Sequence, residues 1–123
     1  MKYRNIQTPV LLLFSVLFVF GCKHDTNLDA LPEIKFSEIQ GIISGSCGSS
    51  NCHGDNAEEF SLIGYDNVIN NGDVKAGKAD DSKLYEVITA SDNDIMPPSP
   101  RSPLSDDNIK KIYIWIEQGA KNN

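Results

Sequence analysis

Residues 47–53 read Cys47-Gly-Ser-Ser-Asn-Cys52-His53, and this heptapeptide carries the strongest functional signal in the chain. It holds two thiols five positions apart, and a histidine follows the second thiol directly. The order Cys…Cys-His is typical of a c-type haem attachment site, where each thiol adds across one vinyl group of the porphyrin to give a thioether. The histidine is then held beside the porphyrin plane, where a ring nitrogen can take one axial position on the iron.

The spacing of the two cysteines leaves other interpretations open. Four residues separate them, whereas the usual haem motif has two. The longer arc must bulge to bring both sulfurs to fixed vinyl positions, and its Gly, Ser and Asn residues all tolerate tight turns. A Cys47–Cys52 disulfide is one alternative, and it leaves His53 without a role. A zinc site is another, and it needs a fourth ligand such as His24 or a distant carboxylate.

The N-terminal residues have the pattern of an export signal. Lys2 and Arg4 precede eleven residues, Val10 to Phe20, that are apolar apart from one serine. Such a run is too short to cross a bilayer as a helix and is typical of a signal-peptide core. It ends at Gly21-Cys22, which resembles a bacterial lipoprotein processing site, where the cysteine is acylated and becomes the new N-terminus. An ordinary cleaved signal with a stray cysteine is the alternative.

We therefore expect three parts in the chain. These are a lipoprotein signal peptide over residues 1–21, a flexible tether over residues 22–34 that starts at lipidated Cys22, and one small domain over residues 35–121. The remaining cysteines, Cys47 and Cys52, carry either haem or a disulfide, and both options require an extracytoplasmic location. We expect the protein in a bacterial cell envelope, anchored to a membrane by lipid and facing the periplasm or the cell exterior.

The charge of the chain limits its partners. It has 17 Asp and Glu against 11 Lys and Arg, and loss of Lys2 and Arg4 with the signal peptide leaves a net charge of −8. This charge argues against a nucleic-acid partner and against binding anionic lipid by charge. It suits docking onto a basic patch of a partner protein, although solubility alone would also explain it.

Helical patterns surround the heptapeptide, and no strand alternation appears. The first helix is predicted from an apolar stripe that includes Ile39 and Ile43, with a capping box formed by Ser37 and Gln40. A short helical turn is predicted over residues 66–69. A third helix is predicted from an apolar stripe at i, i+3 and i+4, formed by Leu84, Val87 and Ile88. Its predicted N-cap is either Asp80 or Asp81.

The last helix has the strongest pattern. Ser105 is its predicted N-cap, because two aspartates follow it and complement the positive end of the helix dipole. Gly119 is the predicted stop. Trp115 is predicted to border a buried stripe that consists of Ile109, Ile112, Tyr113 and Ile116.

Met96 begins a proline-rich segment in which four of the seven residues 97–103 are proline. Prolines at this density exclude a helix and hold the backbone extended. A thioether at the head of a stiff segment is well placed to be a fixed metal ligand. Considered alone, Met96 is better explained as filling a gap in the core beside a proline-rich linker, but a haem at residues 47–53 favours the ligand interpretation.

Taken together, these features resemble the mono-haem cytochrome c family, in particular the lipid-anchored cytochrome c domains of Bacteroidetes-type bacteria. The resemblance lies in Cys47–His53, Met96–Pro98 and Leu104–Ala120, and it extends over residues 36–120. It implies an all-α, cytochrome c-like fold in which three to four short helices wrap round one covalently bound haem c. It also implies that the first and last helices cross beside the haem.

The function that this resemblance implies is electron transfer. Cys47 and Cys52 would form the two thioethers, and His53 and Met96 would be the axial ligands of an iron that cycles between Fe(III) and Fe(II). Redox proteins are then the partners, and neither enzyme activity nor a small-molecule substrate is expected. We also expect Arg101 to pair with a haem propionate. The alternatives are a five-coordinate haem peroxidase or sensor and a cofactor-free structural lipoprotein with a disulfide.

Overall fold

The computed structural model describes residues 27–49, 52–55, 57 and 60–123. The predicted signal peptide, Cys22 and His24 lie outside these residues. All regular secondary structure in the described part is helical, which confirms the all-α prediction. The elements are a 3-10 helix at Leu28–Ala30, α1 at Phe36–Ser46, α2 at Tyr65–Asn71, a second 3-10 helix at Ala79–Asp81, α3 at Lys83–Thr89 and α4 at Asp106–Glu117.

Helix α1 begins earlier than its sequence pattern predicts. Lys35 is the N-cap residue, and its backbone N–H donates to the carboxylate of Glu38 at 3.5 Å. The predicted capping roles of Ser37 and Gln40 are therefore wrong. In a helix that starts at Phe36, Gln40 lies beyond the first turn, where backbone N–H groups already have partners inside the helix. Its side chain is free to bond elsewhere.

Helix α3 is capped by a different residue from the one expected. Asp80 and Asp81 belong to the preceding 3-10 helix, and Ser82 is the N-cap. The buried hydroxyl of Ser82 donates to the carbonyl of Lys78 at 2.8 Å and accepts the N–H of Lys75 at 2.9 Å. Ser82 thus anchors the turn before α3 instead of bonding to the helix that it caps.

The ends of α4 agree with the prediction. The hydroxyl of Ser105 accepts the backbone N–H of Asn108 at 3.4 Å, as an N-cap does. Gly119 lies just past the helix with φ +100°, a left-handed conformation that glycine adopts without a Cβ clash.

The core forms around α4, which contacts both α1 and α3. Trp115 is 1% exposed, so the prediction that it borders the buried stripe is wrong. Its indole N–H donates to the carbonyl of Lys121 at 3.0 Å, and this bond allows the whole ring to be buried at little polar cost. Its ring centroid is 5.8 Å from that of Phe36 on α1. Ile109 and Tyr113 are only half-buried.

Residues 32–34, at the end of the predicted tether, contact the end of α4. The backbone N–H of Ile34 donates to Gln118 Oε1 at 2.9 Å, and Gln118 Nε2 donates to the carbonyl of Pro32 at 3.2 Å. Lys121 forms an ion pair with Glu33 at 2.7 Å. Contacts with the domain therefore begin before residue 35.

The packing of α4 leads to a stability prediction. Ile116 is fully buried, whereas Ile109 on the same helix is half-buried. We expect Ile116→Ala to lower the free energy of unfolding by about 2–5 kcal/mol, because it opens a cavity in the core. The matched variant Ile109→Ala should lower the free energy of unfolding by about half as much or less, because its side chain buries less apolar surface. Urea unfolding followed by far-ultraviolet circular dichroism measures both, and equal losses would contradict the burial pattern.

Candidate functional site

The loop that follows α1 folds back on itself through backbone hydrogen bonds. The N–H of Cys47 makes the last helical bond, to the carbonyl of Ile43 at 2.7 Å, and the helix ends where the N–H of Gly48 donates to the same carbonyl at 2.8 Å. The N–H of Cys52 donates to the carbonyl of Ser49 at 2.9 Å, and the N–H of His53 donates to the carbonyl of Cys47 at 3.1 Å. The last bond brings His53 back beside Cys47, although four residues separate the two cysteines.

Two glycines allow this close return. A Cβ atom at Gly48 would lie 2.8 Å from the Cα of Ser44, and one at Gly54 would lie 2.9 Å from the carbonyl oxygens of Gly48 and Ser49. Both distances are shorter than a carbon contact tolerates. The sequence prediction assigned turn-forming residues to the arc itself, and it did not identify Gly54, which lies just after the histidine.

The imidazole of His53 is held by Phe60. Nδ1 lies 3.1 Å from the carbonyl oxygen of Phe60, so the tautomer with its proton on Nδ1 donates this bond. The two rings also stack, with centroids 4.5 Å apart and an interplanar angle of 24°. This arrangement puts the lone pair of the ring on Nε2, which has no hydrogen-bond partner among the described residues. A backbone carbonyl that fixes one nitrogen while the other is free to ligate is typical of metal-binding histidines.

Met96 is held by the end of α3. Its backbone N–H donates to the carbonyl of Val87 at 2.8 Å, which turns the chain back against the helix that it has just left. No helix forms in residues 97–103, as the prolines predict, but the predicted extended backbone is wrong: the chain turns here, and the N–H of Arg101 donates to the carbonyl of Pro98 at 3.1 Å. Pro97 is buried and Met96 is half-buried.

These segments meet at one cavity. It has a volume of about 330 Å³, at the lower end of the range for ligand pockets in proteins. His53 and Met96 both line it, although 43 positions separate them in the sequence. The other lining residues are mainly apolar and come from the loop after α1 and from α2 and α3: Cys47, Phe60, Leu62, Asn71, Gly72, Lys83, Leu84, Val87 and Ile88.

Both cysteines of the heptapeptide are free thiols in the structure. Cys47 is buried and lines the cavity, and Cys52 is half-buried. Burial raises the pKa of the Cys47 thiol, the nearby Cys52 acts in the same direction, and the charge of Arg101 opposes both. Among the described residues, no three His, Cys, Asp or Glu side chains are grouped as they would be to bind a metal ion. Cys47, Cys52 and His53 therefore do not form a three-ligand zinc site in this structure.

Several residues of the site carried no recognisable signal in the sequence. Phe60 lies in a polar loop, and its contribution to His53 is mainly a backbone carbonyl, which any residue supplies. Gln40 accepts the N–H of Gly64 at 2.6 Å and donates to the carbonyl of Leu62 at 3.4 Å. It thus ties the segment that carries the lining residue Leu62 to α1. A glutamine on the polar side of a helix is typical of a solvated face, so nothing in the sequence indicates this contact.

Arg101 lies beside the loop after α1. Its guanidinium donates to the hydroxyl of Ser49 at 2.9 Å and to the carbonyl of Ser46 at 3.5 Å. These are contacts within the polypeptide that the sequence did not predict. The expected pairing of Arg101 with a propionate stays a prediction.

Comparison with known proteins adds no family assignment. No protein-family model, no curated protein and no solved structure matches this chain. In the part of the chain that the structure describes, none of the helices has the length and apolar character needed to span a membrane.

Proposed function

We propose that this protein is a mono-haem c-type cytochrome that carries single electrons. The observation that supports this most strongly is the meeting of Cys47, His53 and Met96 at one largely apolar cavity. The heptapeptide and the methionine lie far apart in the sequence, and the fold brings both to the same cavity. A soft thioether and an imidazole with a free Nε2 at one cavity are the donor pair of a haem carrier with His/Met ligation.

The chemistry of the residues present fits a covalently attached haem c. Cys47 and Cys52 are both unpaired, so each sulfur is available to form a thioether. His53 is oriented by Phe60 with Nε2 free, and the apolar walls given by Leu62, Leu84 and their neighbours suit the faces of a large flat ring. Among the residues that the structure describes, Asn71 and Lys83 are the polar side chains at the cavity apart from Cys47, His53 and Met96.

The bound haem would supply one-electron chemistry through the Fe(III)/Fe(II) couple. The polypeptide would do three things for it. Cys47 and Cys52 would hold the group in place, His53 and Met96 would ligate its iron, and the apolar lining would exclude water. The thioether of Met96 and the burial would both favour the reduced state and raise the potential. Because these two residues would leave the iron no open position for a substrate, the proposed role is that of a carrier and not of an enzyme.

Electrons would be exchanged during brief docking with redox proteins. The net charge of −8 after signal removal favours partners that carry a basic patch, with association rates that fall as the salt concentration rises. Phe60 is 39% exposed and stacks on His53, so an apolar side chain connects the histidine to the surface. Small, weakly bound interfaces are the rule for such encounters.

The role of Met96 can be tested by spectroscopy. In the oxidised wild-type protein we expect the sulfur-to-iron charge-transfer band in the near infrared. Met96→Ala should abolish this band and lower the midpoint potential, because it removes the soft axial ligand. Val87→Ala is the matched control, since it also shortens a side chain at the cavity but removes no donor atom.

A band that persists in Met96→Ala would contradict ligation by this residue. A wild-type protein that lacks the band and binds carbon monoxide in the reduced state without delay would favour the five-coordinate peroxidase or sensor instead. A cofactor-free lipoprotein would give no haem stain after denaturing electrophoresis.

We also propose that the protein is lipid-anchored in a bacterial cell envelope through Cys22, the cysteine at the end of the apolar N-terminal run. Cys22→Ser should abolish incorporation of labelled palmitate and should move the protein out of the membrane fraction. Cys47→Ser is the control, because it also removes one cysteine but leaves the processing site intact. Membrane retention of the Cys22→Ser variant would contradict the lipid anchor.

A further inference from the structure

Arg101 connects two segments that both supply residues to the cavity. It lies five positions after Met96, in the proline-rich segment. Its guanidinium donates to Ser49 Oγ at 2.9 Å, inside the loop that joins the two cysteines, and to the carbonyl of Ser46 at the end of α1 at 3.5 Å. The side chain of Arg101 is therefore a cross-link between the segment of the methionine and the loop that leads to the histidine.

From these contacts we infer that Arg101 is a positioning residue that keeps Met96 at the cavity. This inference rests on the proposed function, because it concerns the second axial ligand of the haem. Arg101 does not itself touch the reacting atoms. It acts by fixing the far end of the segment that Met96 begins.

The segment between the two residues is stiff enough to transmit this constraint. Pro97, Pro98 and Pro100 restrict the backbone, and the N–H of Arg101 donates to the carbonyl of Pro98 at 3.1 Å. At its other end, Met96 is tied to α3 by the bond to Val87 at 2.8 Å. The segment is thus tied both at Met96 and at Arg101, and replacement of Arg101 removes the tie to the loop between the two cysteines.

Arginine suits this position for two physical reasons. Its planar fork reaches a hydroxyl and a carbonyl together, which the single ammonium of lysine does less well. Its positive charge also lies beside Ser46, at the negative end of the α1 dipole. If Arg101 only capped α1, its loss would lower the stability of the fold without affecting Met96. The test therefore measures how fast Met96 leaves the iron and not only the stability of the fold.

Carbon monoxide provides that measurement. In the reduced protein it binds the iron only after Met96 has left, so at saturating concentration its binding rate equals the rate of Met96 dissociation. We expect Arg101→Ala to accelerate binding by roughly tenfold, the effect of losing about one charge-assisted hydrogen bond. Arg101→Lys should fall between Arg101→Ala and wild type. Ser49→Ala, which keeps the arginine and removes its shorter bond, should accelerate binding by a smaller factor in the same direction.

Lys111→Ala is the control for charge. Lys111 is also an exposed cation, paired with Glu38 at 3.7 Å, but it lies on α4 away from the proline-rich segment. Its loss should leave the binding rate of carbon monoxide unchanged. If Arg101→Ala does not acquire haem, the carbon monoxide binding rate of Ser49→Ala still tests whether the contact between Arg101 and Ser49 keeps Met96 in place.

The outcomes separate this inference from the proposed function. Faster binding in Arg101→Ala and Ser49→Ala, with the wild-type rate in Lys111→Ala, supports it. Haem-loaded variants with the wild-type rate would overturn the inference and leave the cytochrome assignment intact. A wild-type protein that carries no haem would overturn both.

Discussion

The hydrogen bond from the N–H of Met96 to the carbonyl of Val87, at 2.8 Å, is the contact on which the arrangement of the site depends. It returns the chain to α3 immediately after that helix has supplied Leu84, Val87 and Ile88 to the cavity wall. The prolines that follow prevent a further helix, and Arg101 joins the segment to the loop after α1. Met96, at the start of this segment, therefore lines the same cavity as Cys47 and His53 of the heptapeptide.

The site is built in two halves with different kinds of support. On one side His53 is fixed by backbone hydrogen bonds, by the carbonyl of Phe60 and by ring stacking. Met96, in contrast, is held by one backbone hydrogen bond to Val87 and indirectly by the bond from Arg101, five residues later, to Ser49. If the protein is the electron carrier proposed above, both ligands would have to stay in place in both oxidation states, and ligation by Met96 would be the weaker of the two. The mainly apolar lining of the cavity would serve the same purpose, because it would keep water away from the iron.

Some features of the fold could be predicted because they depend on local chemistry. Ser105 and Gly119 bound α4 as expected, since a cap and a left-handed stop act within a few residues. The position of Trp115 was predicted wrongly, because its burial depends on a carbonyl at Lys121, beyond the helix. Of the site, Cys47, His53 and Met96 were singled out by their types and spacing, and they line one cavity; their role as haem ligands stays a prediction. The supports at Gln40 and Phe60 were not singled out, because they are contacts to backbone atoms that leave no residue pattern.

The central claim is that a porphyrin iron is attached to this polypeptide through Cys47 and Cys52 and held between His53 and Met96. Mass spectrometry of the mature protein, produced in a host that can attach haem, tests this most directly. The account predicts the mass of the processed chain plus one haem that survives denaturation, and the loss of that addition when both cysteines are replaced by serine. A mature chain with no covalently added haem, made alongside a host cytochrome that is loaded, would contradict it.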